Sequence, residues 1–433
     1  MMEIICDKEK CTACAACMNT CAHNAITMEA QSSLGYVYPV IDASKCVDCG
    51  LCVKTCPANN PIELHKPLKA FAAISKNHDD LMTSASGGAS SVLCQAVLKR
   101  GGIVYGCVQR NYKDIAHRRI SRYEDYPLMK GSKYVQSNIN YIYRDVKNDL
   151  KDGFEVLFTG TPCQIAGLRA YLKKDYQNLY LVDLVCHGVP SQKLLADDVE
   201  KLLRDFPNAD RGNVCVEFRR KQEVKGVKKF VQNWGDYISY GLFISMEQKM
   251  VSYKRKKQFF LNNNYITSFM AGTILRDNCF LCPYAQSLRG SDITIADFWG
   301  IKESTVPTTN GVSLLLPCSE KGIKLIQDSR DLLHCEERPV KEAINGNGQL
   351  MHPSEKPNER KIFLQYYPTN QEKAYKYSLQ KYRSDYRAHV IIPRIYKRYE
   401  QLTKEHTILK LLDHIRPFRS IALRCAYQYA KFI

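Results

Sequence analysis

The fold of the first 60 residues is decided by the stretch Cys11-Thr-Ala-Cys14-Ala-Ala-Cys17-Met-Asn-Thr-Cys21 and by its second copy, Cys46-Val-Asp-Cys49-Gly-Leu-Cys52-Val-Lys-Thr-Cys56. Both copies have the spacing Cys-x2-Cys-x2-Cys-x3-Cys, and Pro57 follows the second copy. Three thiols placed three residues apart can wrap one loop around one cluster. A fourth thiol, one helical turn later, points away from that loop and toward the other copy.

This doubled spacing is the one that holds two 4Fe–4S clusters in bacterial ferredoxins. The last cysteine of each run ligates the cluster of the other run. We therefore predict a first cluster on Cys11, Cys14, Cys17 and Cys56, and a second cluster on Cys46, Cys49, Cys52 and Cys21. A zinc site has four ligands in two separated pairs, and a disulfide framework needs an oxidising compartment, so both fit the spacing less well.

Composition places the chain among ordinary soluble globular proteins, with 433 residues, 45% hydrophobic and 24% charged. The start, MMEIICDKEKC, has no basic-then-apolar signal peptide, and no stretch approaches eighteen uninterrupted apolar residues. Nineteen cysteines without an export signal favour a reducing compartment, so we predict a cytoplasmic protein whose thiols serve metals.

The formal net charge of +18 is unevenly distributed. Residues 1–66 carry five basic and seven acidic residues, whereas residues 376–433 carry thirteen basic and four acidic ones. The basic tail predicts either an acidic partner, such as a ferredoxin, or an anionic membrane surface. A solvated basic helix is the alternative, and nothing in the sequence indicates nucleic-acid binding.

Four segments are predicted along the chain. Residues 1–60 form a small two-cluster ferredoxin-like domain, residues 61–68 a linker, residues 69–373 the main domain and residues 374–433 a basic helical tail. In the main domain, strands at 155–158 and 179–185 alternate with helices at 164–174 and 192–204. Such alternation predicts an α/β domain with a mixed sheet that contains parallel strand–helix–strand units. Residues 213–256, rich in Lys, Tyr and Val, are predicted to form antiparallel strands.

Four further cysteines form a candidate third site. Cys163 and Cys186 each follow a predicted parallel strand, and ligands bind at the carboxyl ends of such strands. Cys279 and Cys282 form a Cys-x2-Cys pair. These four could bind a third 4Fe–4S cluster, while a zinc knuckle or buried core thiols remain alternatives. Cysteines without ligand spacing are predicted to be small core side chains: Cys6, Cys94, Cys107, Cys215, Cys318, Cys335 and Cys425.

An anionic cofactor is a further hypothesis. Ser86-Gly87-Gly88 precedes a predicted helix, where backbone N–H groups can cradle a phosphate. Lys133, next to Tyr134, offers a positive charge beside an aromatic ring. An ordinary loop before a helix and a surface lysine are the plainer explanations.

Three stretches together resemble a known family: Gly160-Thr-Pro-Cys-Gln-Ile-Ala-Gly-Leu168, Val182-Asp-Leu-Val-Cys-His-Gly-Val-Pro-Ser191, and Cys279-x2-Cys282 with Asp297-Phe-Trp. They look like the beta subunit of the coenzyme F-420 hydrogenases and dehydrogenases, as do the stretches at 86–88, 131–137 and 310–313. The resemblance covers residues 69–367. It implies a 4Fe–4S cluster on Cys163, Cys186, Cys279 and Cys282, and an FAD contacted by Ser86, Gly87, Gly88 and Lys133.

The resemblance implies an iron–sulfur flavoprotein oxidoreductase that passes single electrons to a flavin, which reduces or oxidises an organic substrate. The stand-alone bacterial members imply a small-molecule or sugar-derived substrate and a role in polysaccharide biosynthesis. One alternative is an oxidoreductase that uses the deazaflavin coenzyme. Another is a non-catalytic subunit that connects a partner enzyme to ferredoxin, and a redox sensor is a third.

Overall fold

The computed structural model describes residues 4–219, 221, 241–246, 249–252, 263–391 and 393, and it divides into two compact units. Unit 1 comprises Met1–Lys254 and Ile274–Glu355, and unit 2 comprises Arg255–Thr273 and Lys356–Ile433. Unit 1 contains both predicted cluster motifs and all four cysteines of the candidate third site.

The described residues of unit 1 form strands and helices in alternation over most of their length. The strands are β1 (Ile26–Ala30), β2 (Val37–Ile41), β3 (Ala70–Ser75), β4 (Ile103–Asn111), β5 (Asp114–Ile120), β6 (Val156–Gly160), β7 (Leu179–Leu184), β8 (Cys215–Glu217), β9 (Gly241–Met246), β10 (Lys249–Ser252), β11 (Ile293–Asp297), β12 (Ser313–Pro317) and β13 (Leu333–Arg338). The helices are α1 (Ala16–Thr20), α2 (Leu51–Thr55), α3 (His78–Thr83), α4 (Ala89–Lys99), α5 (Ile142–Lys151), α6 (Pro162–Leu172), α7 (Gln192–Leu202), α9 (Glu320–Asp328) and α10 (Val340–Gly346), whereas α8 (Asn264–Met270) belongs to unit 2.

An eight-stranded mixed sheet organises unit 1, with the strand order β13-β3-β12-β11-β7-β6-β4-β5. The four strands β4, β6, β7 and β11 are parallel, and the outer strands on both sides pair antiparallel. The carboxyl ends of β6 and β7 therefore lie at one edge of the sheet. The predicted α/β class and its parallel strand–helix–strand units are confirmed.

Alternating side chains of the parallel strands fill two separate cores. Val156 and Phe158 of β6 pack into the core that also contains the cluster motifs, whereas Leu157 packs on the other face with α4. Helices cover both faces, so β6 is buried on both sides and reads as an apolar run in the sequence.

The two-cluster segment packs directly on one face of this sheet. Its hairpin pairs β1 with β2, and its first helix shares a core with Tyr143 and Phe158. The guanidinium of Arg144 in α5 donates to the carbonyls of Asn19, at 2.9 Å, and Cys21, at 2.7 Å, and so caps the end of α1. The segment is thus part of the same compact unit as the sheet.

Unit 2 is helical where it is described. Besides α8, its helices are α11 (Arg360–Tyr366), α12 (Gln371–Ser378) and α13 (Gln380–Tyr386), followed by a π-helical turn, Arg387–Ile391. Phe363, Tyr367 and Tyr375 form its aromatic core. The predicted C-terminal helices are confirmed here.

Most of the basic tail, including Cys425 and the predicted anionic docking surface, lies outside the described residues. Within the part of the chain that the structure describes, no helix has both the length and the apolar character needed to span a membrane.

Candidate metal centre

The two cysteine loops share one unusual backbone conformation. In the first loop Ala13 and Ala15 have φ of 53° and 62°, and in the second Asp48 and Gly50 have φ of 56° and 69° at the same positions of the motif. A left-handed conformation is costly for alanine and aspartate, so its repetition marks a functional constraint. Loops of this kind direct backbone N–H groups inward, which suits an anionic cluster.

The two predicted cysteine sets differ in exposure. We call Cys11, Cys14, Cys17 and Cys56 the inner set, because each is buried, with only 8% of its surface exposed. We call Cys46, Cys49, Cys52 and Cys21 the outer set, because Cys49 is exposed and the other three are partly exposed. The inner set lines one cavity together with the loop residues between its cysteines.

Cys6 lines the same cavity, although the sequence analysis assigned it to the core. Its thiol hydrogen-bonds with Cys11 and Cys56. These bonds lower the pKa of Cys11 to about 6 and that of Cys56 to about 7, against the opposing effect of burial. A cysteine outside the repeated spacing gives no motif signal, so only the fold reveals that this thiol lies beside the inner set.

The four remaining candidate cysteines, which we call the third set, come together at the carboxyl edge of the sheet. Cys163 is the second residue of α6, directly after β6, and Cys186 lies two residues after the end of β7. Cys279 lies in a 3-10 turn, Asp277–Leu281, and Cys282 follows it. Burial raises the pKa of each of the four thiols, to about 11 at Cys163 and about 12 at Cys279. Neighbouring thiols add to this effect at Cys163, Cys186 and Cys279.

A glycine permits the close approach within the third set. Gly188 has φ of +121°, and a Cβ atom there would lie 3.0 Å from the Cβ of Cys279. The Gly188 N–H also lies 3.4 Å from the Cys186 sulfur, to which it donates. Backbone N–H groups of Tyr284 and Ala285 lower the pKa of Cys282 in the same way. Such N–H contacts stabilise thiolates and tune the clusters that thiolates hold.

The inner and third sets are neighbours. Cys14 lies against Gly167 of α6, where a Cβ atom would be 2.9 Å from the Cys14 Cβ and 3.0 Å from its sulfur. Cys163 lies at the start of the same helix, and the pKa of Cys14 is raised mainly by burial, with a smaller contribution from the charge of Cys163. Burial and then the charges of Cys14, Cys163, Cys282 and Cys56 raise the pKa of Tyr284, so this tyrosine faces both sets.

The predicted flavin contacts lie at the same edge of the sheet, in two groups. Gly87 accepts a hydrogen bond from Ser75 N–H and is packed so closely that a Cβ atom would meet the Ala73 carbonyl at 2.2 Å. Ser86 donates to the carbonyl of Val312 at 2.9 Å, and Gly88 is the N-cap of α4. These packing contacts supply a structural reason for both glycines.

Lys133 forms the second group. Its ammonium donates to the carbonyls of Met129 and Lys130, and burial lowers its pKa. Lys130 in turn forms an ion pair with Asp80, which is next to Gly88. The structure therefore connects Lys133 to the Ser86–Gly88 loop through this ion pair.

Two further cations, which were not predicted from the sequence, lie beside the Ser86–Gly88 loop. Lys221 donates to the carbonyls of Leu81, at 2.6 Å, and Ser86. Arg219 forms an ion pair with Asp297. Burial, and then the nearby Arg219 charge, lower the pKa of Lys221 to about 8. This concentration of positive charge would suit the phosphates of a dinucleotide cofactor.

In the described part of the chain, no group of three or more His, Cys, Asp or Glu side chains is arranged to hold a single metal ion.

Comparison with known proteins agrees with the two motif regions. Residues 10–60 match the 4Fe-4S dicluster domain, and residues 154–343 match the C-terminal part of the coenzyme F420 hydrogenase/dehydrogenase beta-subunit family. Residues 154–343 are therefore similar to the C-terminal part of the F420 hydrogenase beta subunit, behind a 4Fe-4S dicluster domain. The resemblance found in the sequence is confirmed, and with it the iron–sulfur character of the first 60 residues.

Among solved structures, the chain is similar to a chain of the F420-reducing NiFe hydrogenase complex from Methanosarcina barkeri. The sequence identity is 16%, the TM-score is 0.40, and the match covers 76% of this chain and 95% of the other. No curated protein matches the sequence.

Proposed function

We propose that this protein is an iron–sulfur flavoprotein oxidoreductase with a cluster at each of the inner, outer and third cysteine sets. Clusters exchange single electrons, and a flavin exchanges one or two, so the combination links one-electron carriers to a two-electron organic reaction. The substrate class that we propose is a small, sugar-derived molecule, with a role in polysaccharide biosynthesis.

The observation that carries this proposal is the contact between Cys14 and α6. Through it, the dicluster segment adjoins the helix that begins at Cys163, so the inner and third sets share one buried region. If the dicluster segment had no electron-transfer role in the domain, its buried cysteines would not need to pack against this helix. Gly167 of α6 leaves the space that Cys14 occupies at this contact.

The exposure of the outer set supports an entry point for electrons there. Cys49 is exposed, and two apolar residues of the same loop, Val47 and Leu51, are 57% and 41% exposed. A partner of the ferredoxin class is therefore proposed to exchange electrons at this loop, with the inner set next and the third set last.

The third set and the Ser86–Gly88 loop lie at the same carboxyl edge of the sheet, which is where ligands bind in open α/β sheets. We propose that Ser86, Gly87, Gly88 and Lys133 contribute to an FAD site, with Lys221 and Arg219 supplying charge for its phosphates. The match to the F420 family also favours a second candidate, in which the organic partner is the deazaflavin coenzyme.

Anaerobic purification tests the proposal. We expect a flavin spectrum on top of the broad absorbance of iron–sulfur clusters, and bleaching of both by a reduced ferredoxin. In Cys49→Ser, bleaching by ferredoxin should slow at least tenfold, while bleaching by a small chemical reductant is unchanged.

Two outcomes would change the account. Protein that contains clusters but never flavin would contradict the flavoprotein and favour a subunit that only connects a partner enzyme to ferredoxin. Reduction of deazaflavin by the reduced protein would favour the second candidate.

A further inference from the structure

Arg276 is a buried cation that has no acidic partner among the described residues. The residue is 1% exposed, against 2% for Arg289. Arg289 forms an ion pair with Asp183 at 2.8 Å, but no carboxylate lies within 4.0 Å of Arg276 among the described residues. Burial of an unpaired charge costs several kcal/mol, so a buried arginine normally faces an anion.

The contacts that Arg276 does make leave part of its guanidinium unused. Nε donates to the carbonyl of Cys11 at 3.2 Å, and Nη1 lies 3.5 Å from Oε1 of Gln136. The guanidinium lies 4.2 Å from the ring centre of Tyr38. Nη2 is buried, and no described residue accepts a hydrogen bond from it. A guanidinium has five N–H donors, and the described residues supply acceptors for only some of those of Arg276.

Arg276 lies between the third and inner cysteine sets, so the anionic groups that it faces are those of the two cysteine sets. It directly precedes the 3-10 turn that carries Cys279, and its own N–H donates to the carbonyl of Val189, three residues after Cys186. From this position beside the third set, the Arg276 side chain reaches the carbonyl of Cys11 in the inner set.

We propose that Arg276 is a positioning residue that holds one positive charge between the inner and third cysteine sets and makes reduction of the cluster at each set more favourable. The part that concerns the third set rests on the proposed function, whereas the inner set belongs to the matched dicluster domain. Reduction adds one electron, supplied by a ferredoxin-class donor, and no bond is made or broken. The added negative charge is stabilised by a fixed cation, and more strongly in a buried site than in water.

The test compares Arg276→Met, which removes the charge, with Arg276→Lys, which keeps it. Both variants are studied as full-length anaerobic protein by potentiometric titration with electron paramagnetic resonance. The outer cluster serves as an internal reference, and Cys49→Ser identifies its signal. We expect reduction of the inner and third clusters to become at least tenfold less favourable in Arg276→Met, about 59 mV for a one-electron couple. The outer cluster should not change, and Arg276→Lys should recover most of the effect.

Several results would overturn the proposal. One is an unchanged potential of the inner cluster in Arg276→Met at full iron content, and another is an equal shift in the Lys and Met variants. If Arg276→Met does not retain iron, Arg276→Gln carries the same prediction, because it also lacks the charge. If the wild-type protein has no third cluster, the proposed function fails, but the inner cluster still decides whether Arg276 acts as proposed.

Discussion

Replacing Gly167 by alanine tests the contact between the inner set and α6. The new Cβ would lie 2.9 Å from the Cys14 Cβ, 2.9 Å from the Tyr143 hydroxyl and 3.0 Å from the Cys14 sulfur. Ordinary contacts begin at 3.4 Å, so the Cys14 loop and α6 must separate by at least 0.4–0.5 Å. The loop cannot adapt easily, because Ala13 and Ala15 are already in the left-handed conformation.

Two effects of opposite sign determine the stability of Gly167→Ala. Alanine in a helix interior gains about 1 kcal/mol over glycine. Overpacking of a close-packed site costs about 1–3 kcal/mol. Because three contacts fall at or below 3.0 Å and one is to backbone-anchored Cβ, we expect the cost to prevail, with a net loss of about 0–2 kcal/mol.

The assay measures stability by denaturant unfolding and, in stopped flow, the rate at which ferredoxin reduces the third cluster and the flavin. Gly167→Ala should slow this transfer without changing reduction of the outer cluster. Ala170→Ser, on a half-buried position of the same helix, also adds one heavy atom and should leave both readings unchanged. A stabilisation of about 1 kcal/mol in Gly167→Ala, with transfer at the wild-type rate, would show that Cys14 does not pack on α6.

Three further predictions concern other parts of unit 1. Arg289→Met leaves Asp183 buried without its partner, so denaturant unfolding should show a loss of about 3–5 kcal/mol, against about 0–1 kcal/mol for Arg100→Ala, which breaks the more exposed pair with Glu155. Lys221, with its folded pKa lowered to about 8, should lose its charge as the pH rises through 8; flavin retention in equilibrium dialysis should fall between pH 7 and 9 in the wild type, but not in Lys221→Met. Cys6→Ala removes hydrogen bonds to the inner set, so the inner cluster should become harder to reduce by about 1 kcal/mol in potentiometry, whereas Cys6→Ser should lie nearer the wild type; equal potentials in all three would contradict this role.

The sign of the Lys221 effect follows from proton linkage. The folded pKa lies below the ordinary value of 10.5, so between about pH 8 and 10.5 the unfolded chain binds more protons than the folded one. The contribution of this residue to folding stability therefore increases with pH in that window. Anion binding has the opposite dependence, because it needs the charged form. A flavin affinity that is constant from pH 7 to 9 would exclude Lys221 from the site.

The sequence predicted the parts of the fold that depend on local pattern. The apolar runs of β6 and β7, the helix between them and the Ser191 cap of α7 all follow from residue periodicity and capping, and the structure has them within a few residues. The doubled cysteine spacing likewise predicts the dicluster segment, because one spacing specifies one loop geometry.

What the sequence could not predict depends on contacts between distant segments. Cys6 lies outside the motif, and only the fold brings it to Cys11 and Cys56. Arg276 reaches Cys11 across 265 residues of chain, and nothing in its neighbouring sequence marks it as buried. The packing of Cys14 on Gly167 is also long-range, so the order of the cysteine sets became visible only in the structure.

The most direct test of the central claim is the iron content of anaerobic protein in the wild type and in the double variant Cys279→Ser/Cys282→Ser. With clusters at all three cysteine sets, the wild type contains about twelve irons per chain, and the double variant about eight, with both dicluster signals retained. A wild type with about eight irons, unchanged in the double variant, would contradict a cluster at the third set and, with it, the proposed route from the outer set to the flavin.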